Sequence, residues 1–192
     1  MEFIYHGVPS GMQGNVLYPL FDLKNLFPIV YKDAIKKYDD HPKRKELPFK
    51  KIGKLNCKRG EVLHCSSIHP SIVFQALKTV FPDGNRSVKF YKISVEQIKD
   101  IPSVLFDMNR CEYEFGKDDP DEVFDLIDSK HYHEIRVVPA QAYDFFREWK
   151  HRGEKGAPAW GKIPHVFVKG QINTEGCEII DWRDPLQFPL MP

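Results

Sequence analysis

"EFIYHGV", residues Glu2 to Val8, is the stretch on which the reading of this chain turns. Phe3, Ile4 and Tyr5 have the apolar and aromatic character of a β-strand, but His6 and Gly7 stand where larger apolar side chains would pack better. "PSGMQGN" follows, and its Gly11 and Gly14 mark a loop. A strand-borne histidine can give one ring nitrogen to a ligand while the other fixes its tautomer, and a glycine beside it lets a flat ligand approach the backbone. The alternative is a histidine satisfied at a strand end.

Outward from this strand, helical and strand-like patterns alternate. "PIVYKDAIKKY" puts Tyr31, Ala34, Ile35 and Tyr38 on one helical face behind Pro28. "EVLHCSS" reads as a strand, and "HPSIVFQALKTV" as a helix that buries Val73, Ala76, Leu77 and Val80. "SVKFYKIS" is a strand, and Ser94 with Gln97 forms a capping box for a short helix. The pattern predicts a helix in "DPDEVFDLIDS", a strand in "HYHEIRVV", a helix in "PAQAYDFFREWKHRG", and a closing hairpin from "HVFVKGQI" and "CEIIDW". The fold class is α+β or mixed α/β: one domain over residues 1–192, with a split antiparallel or mixed sheet, flanking helices and a Pro-rich tail from about residue 183.

With 28 Lys and Arg against 27 Asp and Glu, the net charge of +1 supplies no overall field for a polyanion or a membrane. "HPKRKELPFKKIGKLNCKR", His41 to Arg59, is locally basic and offers a nucleic-acid contact from Lys43 to Arg59, or else a solvated loop. Four scattered cysteines without a C-x-x-C pair point to reduced thiols in a cytoplasm. No apolar run is long enough to span a membrane.

Two further stretches offer chemistry. Glu134, in the expected strand "HYHEIRVV", is a carboxylate able to stabilise a developing cation or accept a proton, or else an edge residue paired with Arg136 or a lysine. Ser66 and Ser67, ahead of the helix at Pro70, can help its N-terminus bind an anionic group such as a pyrophosphate, or simply cap the helix. His64, His69, His131, His133 and Asp128 are types that ligate metals and keep a metal-dependent hydrolase as an alternative, but they show no specific ligand spacing, and the first reading expects no metal. "WGKIPHVFVKG", Trp160 to Gly170, fits an interface and keeps open a non-enzymatic module that binds a nucleotide or a protein.

Tyr-His-Gly on a first strand, Ser-Ser between a central strand and a helix, and a late Glu resemble the ADP-ribosyltransferase-like fold, in the branch with a first-strand His-Gly. The resemblance implies an NAD-dependent transferase that modifies a nucleic acid or protein acceptor. Carried over, His6 bonds the nicotinamide-side ribose, Gly7 meets the carboxamide, and Glu134 bonds the ribose and polarises the nucleophile, all within one cleft. The branch's paired aromatics on a middle strand have no clean counterpart here.

Overall fold

The computed structural model describes residues 1–12, 14–39, 42–112, 114–153 and 159–186. His41, Tyr113 and the last part of the Pro-rich tail, 187–192, lie outside the described residues. In chain order the first half contains β1 (Phe3–Gly7), β2 (Val16–Leu17), α1 (Leu20–Leu26), α2 (Pro28–Lys36), α3 (Pro42–Glu46), β3 (Lys51–Ile52), β4 (Cys57–Lys58), β5 (Leu63–Ser66), α4 (Pro70–Val80) and β6 (Lys89–Ser94). Then come β7 (Ser103–Phe106), β8 (Phe124–Leu126), α5 (Ala140–His151), β9 (His165–Val168), β10 (Ile172–Asn173) and β11 (Glu178–Asp181). Short 3-10 turns at Leu47–Phe49, Gly53–Leu55, Arg59–Glu61, Val95–Ile98 and Asp121–Val123 link several of them.

The architecture is α+β. Seven strands form a sheet in the order β11-β6-β1-β5-β9-β7-β8, and every neighbouring pair is antiparallel. β10 with β2 and β3 with β4 make two small ladders beside it. Opposed residues in a ladder share a face and successive residues alternate. The register Tyr5↔Ser66, Ser66↔His165 and Phe106↔His165 therefore puts these side chains on one face, with Gly7, His64, Phe90 and Phe167. Ile4, His6, Cys65, Tyr91 and Val166 point to the other.

Helices α4 and α5 cover the β6–β1 half of the first face. Val73, Ala76, Leu77 and Val80 meet Ala142 and Phe146 there, over Tyr5, Phe90 and Trp182. Ile52, Val62 and Val123 cover the β9–β7–β8 half, on Phe124 and a Phe106–Phe167 ring stack 5.1 Å apart. The reverse face buries Ile4, Leu63, Cys65, Ile93, Val166 and Val168. α4 and α5 form where their spacing puts them, with Pro70 and Ala140 opening the helices and Gly153, at φ +66°, just beyond the end of α5. The Ser94 capping box is present and starts the turn at Val95.

Three predicted elements differ. Residues 120–129 are a 3-10 turn leading into strand β8, because Phe124 is drawn onto Phe106 opposite it in the ladder, and that packing overrides the helical spacing. "HYHEIRVV" is no strand; β5 ends at Ser66 and its chain departs into α4, so only one bridge forms, Ile68 to Ile135. The terminal strands are no hairpin either: β9 lies inside the sheet, β10 pairs with β2, and β11 forms the edge beside β6. No helix among the described residues is long and apolar enough to cross a membrane.

Candidate functional site

His6 and Glu134 do not converge. Glu134 belongs with the first face, where its Oε1 accepts the backbone N–H of Phe3 at 2.8 Å and its Oε2 accepts the Tyr5 hydroxyl at 3.1 Å. Its own N–H is donated to the Glu2 carboxylate at 2.7 Å. The Glu2 carboxylate thus holds the Glu134 backbone, and the Glu134 carboxylate the backbone of Phe3, a clasp set where β5 has left β1 without a partner. Burial holds the Glu134 carboxyl above its ordinary range, although the Phe3 and Tyr5 bonds pull the other way. The Glu2 carboxyl is lowered, chiefly by the Glu134 backbone N–H.

His6 sits across the sheet. Its Nδ1 lies 2.7 Å from the Gly7 carbonyl, which can only accept, so this nitrogen carries the hydrogen and donates. Burial depresses its pKa to about 4, and the ring is neutral at pH 7. Around it Met12, Leu17, Tyr18, Leu23 and Phe27 leave an apolar cavity of about 70 Å³, far short of the several hundred that a nucleotide fills. One cleft holding both His6 and Glu134 is therefore not formed, because alternation along β1 sends Tyr5 and His6 to opposite faces.

Ser66 and Ser67 are buried and their hydroxyls are spent on the backbone. Ser66 Oγ donates to the Ile68 carbonyl at 2.7 Å and accepts the Ile68 N–H at 3.0 Å, while Ser67 Oγ donates to the Pro164 carbonyl at 3.0 Å. Neither caps α4: His69 does, accepting the Ser71 N–H through Nδ1 at 3.2 Å. The two serines hold the junction of β5, β9 and α4 together.

What does converge on the first face is a polar and aromatic group of side chains around Gly7. Its floor is Gly7 of β1, His64 of β5 and His165 of β9. The two imidazole centroids are 6.4 Å apart, and the Trp160 ring stands 6.2 Å from His165 and 5.5 Å from Phe90. His64 packs on Phe167 at 4.5 Å and donates Nε2–H to the Arg59 carbonyl at 2.9 Å, which leaves its Nδ1 an acceptor. Burial pushes His64 down to about 3 and His165 down to about 4, and the Arg59 cation deepens both shifts. Both rings are neutral at pH 7.

Arg59 is 9% exposed, with its guanidinium 4.4 Å over the Phe106 ring and Nη2 paired with Asp119. Three buried polar atoms in this region have no hydrogen-bond partner among the described residues: Arg59 Nε, His165 Nδ1 and Asn109 Oδ1. Asn109 spends its amide N–H groups on Asp107 and on the carbonyl of Lys162, whose φ of 63° is rare for a residue with a side chain.

Gly7 is the most informative residue of the floor. Its backbone does not require glycine, since its φ lies outside the positive range, and an added Cβ would meet only a Phe90 ring carbon at 3.8 Å, an ordinary contact. Neither packing nor conformation explains a bare backbone there.

His131 bonds exposed Asp128, His133 lies beside Glu2, and His69 serves α4, so the metal-type residues are dispersed. Among the described residues no group of three or more His, Cys, Asp and Glu is set to hold a metal ion. The basic segment divides: Lys50 and Arg59 are buried against Asp119, whereas Lys51, Lys54 and Lys58 are exposed. Sequence reading missed His165 and placed Trp160 only at an interface. The signal was present in the alternation of "HVFV", which sets His165 with Phe167 on one face. No family model, no curated protein and no solved structure matches the chain.

Proposed function

We propose that the protein is an ADP-ribosyltransferase-like enzyme that takes NAD against Gly7, His64 and His165, and that Glu134 has no part in its chemistry. The observation that carries this reading is Gly7, a strand residue that the fold does not need to be glycine, set beside two neutral imidazoles and a part-exposed tryptophan. A planar carboxamide can lie against such a backbone, and Trp160 offers it an aromatic wall. The unpartnered polar atoms suit a polar ligand, with Arg59 Nε as a donor and His165 Nδ1 on the floor.

His6 acts in this reading through Gly7. Its N–H on the Gly7 carbonyl fixes the orientation of the peptide that the ligand meets, and makes it a positioning residue. His64 Nδ1 remains as an acceptor toward a ribose hydroxyl. NAD supplies a glycosidic bond whose cleavage releases nicotinamide and leaves the anomeric carbon to an acceptor. The chain's work is binding, orientation and exclusion of water.

Calorimetric titration with NAD, together with chromatographic detection of released nicotinamide, tests this with Gly7→Ala. A side chain there is compatible with the strand and costs the fold nothing, so the melting temperature is expected to hold or rise slightly, while NAD affinity falls at least tenfold. NAD binding by Gly7→Ala equal to the parent's, or no binding by the parent, overturns the proposal.

A further inference from the structure

The charge of this chain is unevenly placed. Residues 20–59 contain twelve Lys and Arg against five Asp and Glu, a balance of +7 in a protein whose total is +1, so the remainder carries −6. In the structure this tract is one neighbourhood. α1 packs on α2 and on the Arg59–Glu61 turn, with the Phe21 ring against Gly60 and 5.4 Å from the Phe49 ring. Arg59 brings it to the first face, where its carbonyl accepts from His64, while Leu23, Phe27 and Val30 line the His6 cavity on the reverse face.

Two local features point to an anionic strand. Lys51 and Lys58 stand directly opposite one another in the β3–β4 ladder, a like-charge pairing that costs stability in itself, with the Asp118 and Glu61 carboxylates held on their backbone N–H groups. They line a cavity of about 220 Å³ with Gly53, Asn56, Cys57 and Glu61. Close by in sequence, Phe49 is 54% exposed although it is a large apolar ring, and Leu26 and Ile29 are 50% and 79% exposed on α1 and α2. An exposed ring among cations is what a single strand uses, phosphates on the lysines and a base stacked on the ring. A duplex keeps its bases stacked inside and has no use for that ring.

We infer that residues 20–59 form a face for single-stranded nucleic acid that leads the strand past Arg59 toward His64, with Lys51 and Lys58 holding a phosphate and Phe49 stacking a base. The identity of this strand as the acceptor rests on the proposed transferase activity, but its binding does not.

Fluorescence anisotropy with labelled 20-nucleotide single strands, in the absence of NAD, measures it on the full chain. Binding to single strands is expected, weakening with salt, and at least five times tighter than to the matching duplex. Lys51→Glu with Lys58→Glu is expected to weaken it at least tenfold and to flatten the plot of log affinity against log salt by about 0.7 for each phosphate that is no longer neutralised. Phe49→Ala is expected to weaken it about fivefold with the salt slope unchanged, and Lys99→Glu, outside the tract, to leave it unaltered. Circular dichroism confirms that the variants fold. Equal affinity for duplex, indifference to the Lys51 and Lys58 changes, or binding to anionic vesicles in place of oligonucleotides overturns the inference. NAD cleavage without strand binding sinks this inference alone, whereas strand binding without NAD binding sinks only the transferase reading.

Discussion

Replacing Glu134 by alanine separates a structural carboxylate from a catalytic one. The change removes the acceptors of the Phe3 N–H at 2.8 Å and of the Tyr5 hydroxyl at 3.1 Å. A hydrogen bond to a charged group contributes roughly 1.5–3 kcal/mol when buried. This site is half-buried and water can replace part of that contribution, so about 2–3 kcal/mol in total is the reasonable sum. For a chain of this size 1 kcal/mol moves the melting temperature by about 2–4 °C, so Glu134→Ala should melt roughly 4–12 °C lower, and Glu134→Gln, which keeps one acceptor, by about half that. The assay pairs thermal denaturation at pH 7 with nicotinamide release per folded molecule. The expected result is a lower melting temperature with unchanged turnover. Turnover reduced a hundredfold at an unchanged melting temperature refutes the clasp and returns Glu134 to the chemistry.

Protonation supplies a second signature of the same clasp. The folded Glu134 carboxyl is raised, so ionising it inside the fold costs stability: that cost is absent below the ordinary glutamate value and complete above the raised one, where it offsets part of the Phe3 and Tyr5 hydrogen bonds. Glu2 is lowered, and its contribution is present above the ordinary value and lost as pH falls through the lowered one. Glu134→Gln should therefore remove a loss of stability on the alkaline side of the glutamate range, and Glu2→Gln one on the acid side, both read from melting temperature against pH.

The histidines predict a broader acid sensitivity. His6 and His165 titrate near 4 and His64 near 3 in the fold, against about 6.5 when unfolded, so the unfolded chain takes up protons first and stability is lost as pH falls below about 6.5. The melting temperature should fall from pH 7 to pH 5, and His165→Phe should flatten the slope; an unchanged slope counts against a buried neutral His165. Asp119→Asn leaves buried Arg59 without its carboxylate and takes one from Lys50, a change expected to cost roughly 3–5 kcal/mol in urea denaturation. A loss below about 1 kcal/mol shows that this ion-pair cluster contributes little.

Much of the frame was legible because short-range rules agree with packing there. Val73, Ala76, Leu77 and Val80, Ala142 with Phe146, and Phe3–Gly7 lie in the elements their spacing predicts. The site was less legible because sheet order is a long-range property. Nothing local in "HVFVKG" tells that it lies between β5 and β7, yet that placement puts His165 beside His64. The same rule separates His6 from Glu134: period-2 alternation assigned faces within β1 correctly, but Glu134 sits in irregular chain whose position is set by the vacancy beyond Ser66. Ser66 and Ser67 showed the right residue types for a cap and used them elsewhere.

The place of β9 in the sheet has a consequence for how the protein is made. Strand β1 is made before β5 and β6, which it needs on its flanks, and β5 and β7 stay unjoined until residues 165–168 have been synthesised. Such late closure makes for slow folding and prolonged exposure of apolar strands. A product cut short before His165 therefore lacks an interior strand. It presents two open sheet borders lined by Leu63, Cys65, Val104 and Phe106, a composition that favours self-association over partial activity.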